Sequence, residues 1–195
     1  MITENKDLIA QARAALSGKW TVAICTALVY IALVTILTLI PFVGLPAMLL
    51  IAGPFALGFS SLFLALSRGE DVRIEQLFSG FNRFGTALAA YLLVTIFTFF
   101  WMLLLIVPGI IAAISYSQTF YIIADSQNID PMDAIDKSKK MMRGYKWKYF
   151  CLYLRFIGWA LLCILTLGIG YVWLLPYVQT STAKFYDDLK ANYEG

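Results

Sequence analysis

Residues 72–124 read VRIEQLFSGFNRFGTALAAYLLVTIFTFFWMLLLIVPGIIAAISYSQTFYIIA, and this stretch decides the fold. It opens on a short charged segment, 72–84, and then carries no charge from Gly85 to Val107. Pro108-Gly109 breaks the run, and a second apolar run covers 110–124. The first run matches the roughly 20 residues that a helix needs to cross a ~30 Å hydrocarbon core. Ile74, Leu77, Phe78 and Phe81 recur at i, i+3, i+4, i+7, the spacing of one apolar helical face. The unit therefore reads as an interfacial amphipathic helix, a membrane helix, a tight turn and a membrane helix back.

The rest of the chain has the composition to match. It is 61% hydrophobic with a mean hydropathy of +0.76, far above a soluble globular domain. Its 195 residues hold about six membrane helices with short connections and leave no room for a separate soluble domain. A net charge of +3 does not point to nucleic acid. Cys25, Cys151 and Cys163 are an odd set inside apolar runs, so a disulfide framework is not expected. Histidine is absent, which removes the commonest metal ligand and proton shuttle, and no cofactor is expected. Glu4, Lys6 and Asp7 mix the charges ahead of the first long apolar run, 20–40, so a cleavable signal is not expected there.

Residues 3–17 read as a helix with Leu8, Ala12, Ala15 and Leu16 on one face and Lys6 and Arg13 on the other. Spans are expected at 21–40 and 47–67, joined by a Pro-Gly-Pro turn at 41–46, with Gly53-Pro54 kinking the second. After the central hairpin, 125–148 forms a charged connection. In it Asp130-Pro131 reads as an N-cap with proline at N1, and Asp133/Lys137 and Asp136/Lys140 as i, i+4 pairs. A fifth span covers about 149–165, a turn 166–170, and a sixth span about 171–183, with a charged tail at 184–195.

The pieces repeat. Gly18-Lys19-Trp20, Gly80 to Phe84 and Gly144 to Trp147 each lead into a span as glycine, basic residue, aromatic; the glycines are 62 and 64 positions apart. Pro46 and Pro108 are also 62 apart. The chain reads as one integral membrane domain, 1–195, of three pseudo-repeats at about 1–67, 68–124 and 125–195. The expected fold is all-α: six transmembrane helices in three hairpins, each preceded by a cytoplasmic amphipathic helix. Fourteen of the fifteen Lys and Arg, and every Asp and Glu, lie outside the spans, while the turns carry none. The positive-inside rule then puts every charged segment and both termini on the cytoplasmic side. Trp20, Trp147 and Tyr149 should mark the inner interface, and Trp101, Tyr171 and Trp173 the outer one.

Candidate sites follow from the charges and from polar residues at depth. Lys137, Lys139, Lys140, Arg143, Lys146 and Lys148 would face an anionic leaflet, each worth about 1 kcal/mol near the surface. Arg155 is the one basic residue within a span: either it contacts lipid phosphate, or its stem snorkels, with Asp125 as a partner. Ser115, Gln118, Thr119 and Gln179, with neighbouring Ser and Thr on the returning helices, either line a polar path or hydrogen-bond between close-packed helices. The Gly168-x-Gly170 turn lacks the strand and the Lys-Ser/Thr of a phosphate loop. No catalytic residue and no metal set stands out.

Several pieces resemble one bacterial integral membrane family: Gly18-Lys19-Trp20, Leu77 to Phe81, Val107 to Ile111, Met141-Met142-x-Gly144 to Trp147, and Leu165 to Gly170. The family is catalogued as domain of unknown function 975. It is distantly similar to the membrane domain attached to some glycerophosphodiester phosphodiesterases. The resemblance implies a small polytopic protein of the bacterial inner membrane and carries no family activity; the phosphodiesterase catalytic domain is not in this sequence. The expected function is non-enzymatic: binding anionic lipids and organising or remodelling the membrane, as a homo-oligomer or beside a membrane-protein partner. The alternative is a small transporter or channel with a polar path.

Overall fold

The computed structural model describes residues 3–40, 44–126, 128–166 and 168–194. Among them it is all-α: nine α-helices and one 3-10 helix, with no strand. Helix α1 (Asn5–Leu16) lies across the foot of α2 (Trp20–Thr38), their axes meeting at 97°. Gly18, at φ +80°, makes that corner in a backbone region that side chains disfavour. Gly144, at φ +87°, makes the matching corner between α7 (Pro131–Met141) and α8 (Lys146–Leu165). Helix α3 (Gly44–Ser67) begins inside the segment expected as a turn; residues 41–43 lie outside the described residues.

The segment expected as an amphipathic α-helix is instead a ten-residue 3-10 helix, Ile74–Arg83. Its period of three changes which residues point inward. Leu77 and Gly80 are buried, whereas Phe78 and Phe81, placed with Leu77 on one apolar face by the α-helical spacing, are exposed at 45% and 36%. Phe55 caps this pair edge-on, with ring centres 5.7 and 5.2 Å away. The cause lies in α3. A Cβ on Gly58 would lie against the Leu77 carbonyl, and one on Gly80 against the Pro54 carbonyl, both well inside contact distance. The two backbones touch because neither glycine has a side chain.

Helix α4 (Phe84–Leu104) continues from the 3-10 segment, and α5 (Ile106–Tyr116) returns. The reversal falls at Leu105, not at Pro108-Gly109, which sit in the first turn of α5 where proline is tolerated. A Cβ on Gly109 would clash with Met102, so this glycine permits close helix approach. The run expected to be one helix to Ala124 breaks at Ser117-Gln118 before α6 (Thr119–Asp125). Ser117 Oγ donates to the Ile114 carbonyl and Thr119 Oγ1 to the Tyr116 carbonyl, so side chains compete for the helix's own acceptors. The last helix, α9 (Tyr171–Glu194), runs straight through the segment expected as a tail.

Four helical stretches are long and apolar enough to cross a membrane by length and composition, Ala47–Ser67, Ile74–Leu104, Ile106–Asp125 and Lys146–Leu165. The bent α1–α2 pair would add a fifth. The packed core sits at the charged end of the hairpins, in two clusters around Leu8, Tyr121, Ile122 and Phe185 and around Leu16, Phe59, Phe63 and Leu77. The opposite ends are bare, with Leu39 74% exposed, Leu104 70% and Leu165 79%.

Replacing Gly58 or Gly80 by alanine forces α3 and the 3-10 segment apart. Thermal unfolding in detergent should fall by about 6 °C or more, equivalent to roughly 2 kcal/mol for a chain of this size. Gly85→Ala, where nothing lies within 4 Å of the added Cβ, should leave the midpoint in place.

Candidate functional site

Helix α7 is laid along the α4–α5 hairpin. Its buried face of Ala134, Ile135, Ser138 and Met141 turns inward. Ile135 packs among Phe97, Ala112 and Tyr116, and Ser138 Oγ donates to the Ser115 carbonyl at 2.7 Å. Asp130 takes the N-cap position and Pro131 N1, but the Asp130 side chain makes no capping bond. Asp136 pairs with Lys139 at 3.1 Å on the outer face.

Between this helix and the hairpin lies a groove of about 410 Å³. Trp101, Pro108, Ile111 and Ala112 make its apolar wall; Lys139, Arg143 and Lys146 converge on it from α7 and the start of α8. Lys139 Nζ stands 5.5 Å from the Tyr116 ring centre and 6.0 Å from that of Phe97. An ammonium held over ring faces is partly desolvated and so better placed to meet an anion. The arrangement suits a ligand with an anionic head and an apolar stem.

The other expected cations go elsewhere. Lys140 is exposed on α7, and Lys137 is half-buried. Lys148 turns inward to Asp188 at 3.4 Å, where Asp188 also accepts from the Thr3 amide and hydroxyl. Arg155 is exposed on α8, and its suggested partner Asp125 is engaged by others.

Asp125 is the centre of a charge clasp. Arg68 reaches it at 2.7 Å and Lys190 at 2.6 Å, and Tyr186 donates to it at 2.9 Å. Arg68 also bonds Asp187 at 2.7 Å, so the ends of α3, α6 and α9 are tied together. Burial alone would lower the Arg68 guanidinium pKa; the bonds to Asp125 and Asp187 outweigh it and raise it. Burial first, and then the Asp125 charge, raise the Tyr186 phenol, which remains a donor.

A second cavity of about 410 Å³ lies in the middle of the bundle. Ser60, Ser117, Gln179 and Thr182 line it with the hydroxyl-bearing rings of Tyr121 and Tyr153. Tyr121 donates to Gln179 Oε1 at 2.8 Å, and Tyr149 to the Tyr153 hydroxyl at 3.2 Å. Of the four residues suggested for a polar path, Gln179 lines this cavity. Ser115, which lines the basic groove instead, and Thr119 donate back to helix carbonyls. Gln118 is fully buried, donating to Ser117 Oγ, with its Oε1 unpartnered. In the sequence Tyr149 reads only as an interface marker and Tyr121 and Tyr153 are passed over, although Tyr149 and Tyr153 stand at i, i+4 on one face of α8. Among the described residues no group of three His, Cys, Asp or Glu could hold a metal.

A family model described as protein of unknown function (DUF975) matches residues 1–115 and 102–193. The chain belongs to that family. No curated protein and no solved structure matches it.

Asp125→Asn should loosen the clasp and leave Arg68 and Lys190 facing a neutral amide. With Asp125 only 9% exposed and its partners about a third exposed, the expected cost is about 2 kcal/mol, a fall of roughly 4–8 °C in detergent melting. Lys139→Gln, which breaks an exposed pair, should leave the midpoint nearly unchanged.

Proposed function

We propose that this chain is a non-enzymatic protein of the bacterial inner membrane that binds anionic lipid headgroups and thereby organises or remodels the bilayer. The observation that carries this reading is the groove in which Lys139, Arg143 and Lys146 meet above an apolar wall. Arg143 and Lys146 attract a phosphate together with Lys139, which Asp136 pairs at 3.1 Å from the outer face, and the wall suits an acyl chain. The six apolar helices form three hairpins whose charged connections, and both termini, share the cytoplasmic side.

The pseudo-repeat is supported by two matching bonds. Lys19, ahead of α2, donates to the Gly69 carbonyl at 2.8 Å beyond the end of α3. Arg83, ahead of α4, donates to the Ile123 and Ser126 carbonyls at 2.7 Å at the end of α6. In each, the basic residue of the glycine–basic–aromatic anchor holds backbone carbonyls at or just beyond the end of its own returning helix.

A second reading, passage of a small neutral solute, is favoured by the central cavity, whose uncharged lining sets hydroxyl and amide groups among Ala56, Phe59, Phe120 and Leu175. It predicts glycerol entry into proteoliposomes that Gln179→Leu abolishes.

For the leading reading, the triple change Lys139→Gln, Arg143→Gln and Lys146→Gln removes about 3 kcal/mol of attraction at low salt. Phosphatidylglycerol retention, read by native mass spectrometry, should drop about a hundredfold, with phosphatidylcholine retention unmoved. Equal retention of phosphatidylglycerol by the variant and the parent would sink the proposal.

A further inference from the structure

Each returning helix meets a charged amphipathic segment soon after its turn. Helix α3 starts at Gly44 and is against the 3-10 segment by Pro54, where Gly80 packs on its backbone. Helix α5 starts at Ile106 and is pinned to α7 by Ser115, through the bond from Ser138. Helix α9 starts at Tyr171 and meets α1 at Tyr177, whose hydroxyl donates to the Ile9 carbonyl at 3.4 Å. At 1.5 Å per residue these free lengths are only about 15, 14 and 9 Å, against a hydrocarbon core of ~30 Å.

The outgoing helices agree. Tyr30 already packs on Phe59 at 4.9 Å, Phe97 stands beside Lys139, and Phe156 meets Tyr177 at 5.5 Å. Beyond those contacts about 12 to 15 Å of helix remains before each chain reversal. The segments packed at these levels keep their charges outward: Lys6 and Arg13 on α1, Arg73 and Glu75 on the 3-10 segment, Lys139 and Arg143 at α7. If the hairpins crossed the whole bilayer, these exposed charges would lie in hydrocarbon, at a desolvation cost that the exposed Lys139–Asp136 pair does not offset. Trp101, expected at the far interface, lines the same groove as Arg143.

We infer that the three hairpins enter one leaflet and end near the bilayer midplane, with the packed core and its amphipathic collar at the cytoplasmic headgroups. The partner of the bare apolar ends is thus the acyl region of a single anionic leaflet. Charge complementarity selects that leaflet, since the collar at the hairpin bases carries Lys139, Arg143 and Lys146. The inference rests on the membrane reading and not on headgroup binding at the groove.

The test places single cysteines at the exposed tip positions Leu39, Leu105 and Ile169 of the full chain, with Cys25, Cys151 and Cys163 changed to alanine. Bimane attached to each is read in phosphatidylglycerol-containing vesicles against lipids spin-labelled at the headgroup or at the chain end. Intact expressing cells are separately treated with a membrane-impermeant maleimide. The inference expects the greatest loss of fluorescence with the chain-end label at all three tips, and no labelling from outside. Labelling from outside, or stronger quenching by the headgroup label, at any tip overturns one-leaflet insertion. No quenching by either label would instead overturn the membrane reading itself.

Discussion

Everything in this fold depends on two backbones being allowed to touch. Pro54 and Gly58 on α3 meet Leu77 and Gly80 on the 3-10 segment with no side chain between them. That contact draws a segment bearing Arg73, Glu75 and Arg83 up along α3 instead of letting it lie flat at the hairpin base. It thereby sets where α4 begins, and it brings Arg83 within reach of the end of α6. A residue larger than glycine at either place would release the segment, and with it the cap on α6 and the start of the central hairpin. The tight 3-10 winding follows from the same contact. With Leu77 and Gly80 three apart and both inward, a period of three keeps the chain against α3 where a period of 3.6 would rotate it away.

The charged ends are closed by side chains reaching between elements. A helix terminus leaves four carbonyls unsatisfied, and in apolar surroundings each is costly. Backbone amides of Arg68, Gly69 and Glu70 answer this for α3, with Lys19 holding the loop just beyond it, and Arg83 answers it for α6, while Asp125 gathers Arg68, Lys190 and Tyr186 so that three helices meet at one carboxylate. Helix α9 needs no such cap at that depth because it runs on to Glu194, and its Asp188 instead takes Thr3 and Lys148. The cations of the connections therefore divide into those used up inside the fold and those left at its surface. Arg143 and Lys146 are left together beside Lys139, whose ion pair is to the exposed Asp136 of its own helix, which is why the groove between α7 and the hairpin, and not the whole basic segment, is the place proposed for an anion.

Much of this was legible in the sequence. The apolar runs gave all the long helices, because uncharged stretches near 20 residues have few other stable states. The inward face of α1, with Leu8, Ala12 and Leu16, was read from spacing alone. What escaped were features decided by contacts between distant segments. Phe78 and Phe81 fit an α-helical face, and only the approach of α3 turns them outward. Ser117 and Thr119 looked like polar residues within one helix; their bonds to the Ile114 and Tyr116 carbonyls mark where it bends. Proline at 108 looked like the turn itself, yet proline is at ease in a helix's first turn, and Leu105 bears the reversal. The depth of each hairpin was least legible of all, because a run of apolar residues states that a helix avoids water, not which neighbour replaces it.

Depth is also what connects the fold to an effect on the membrane. A helix of 10–12 Å diameter that crosses a bilayer displaces both leaflets equally and leaves their areas balanced. Under the one-leaflet insertion inferred above, six helical arms that stop near the midplane would displace roughly 500–700 Å² from one leaflet and nothing from the other. An amphipathic collar at the headgroup level adds to the same side, and the cations on α7 favour the leaflet that is richest in anionic lipid. The resulting imbalance in area would bow the bilayer with the inserted side convex, without any bond being made or broken. Remodelling by this route needs a stiff wedge more than a catalytic group, and the α3 contact together with the Asp125 clasp supplies the stiffness.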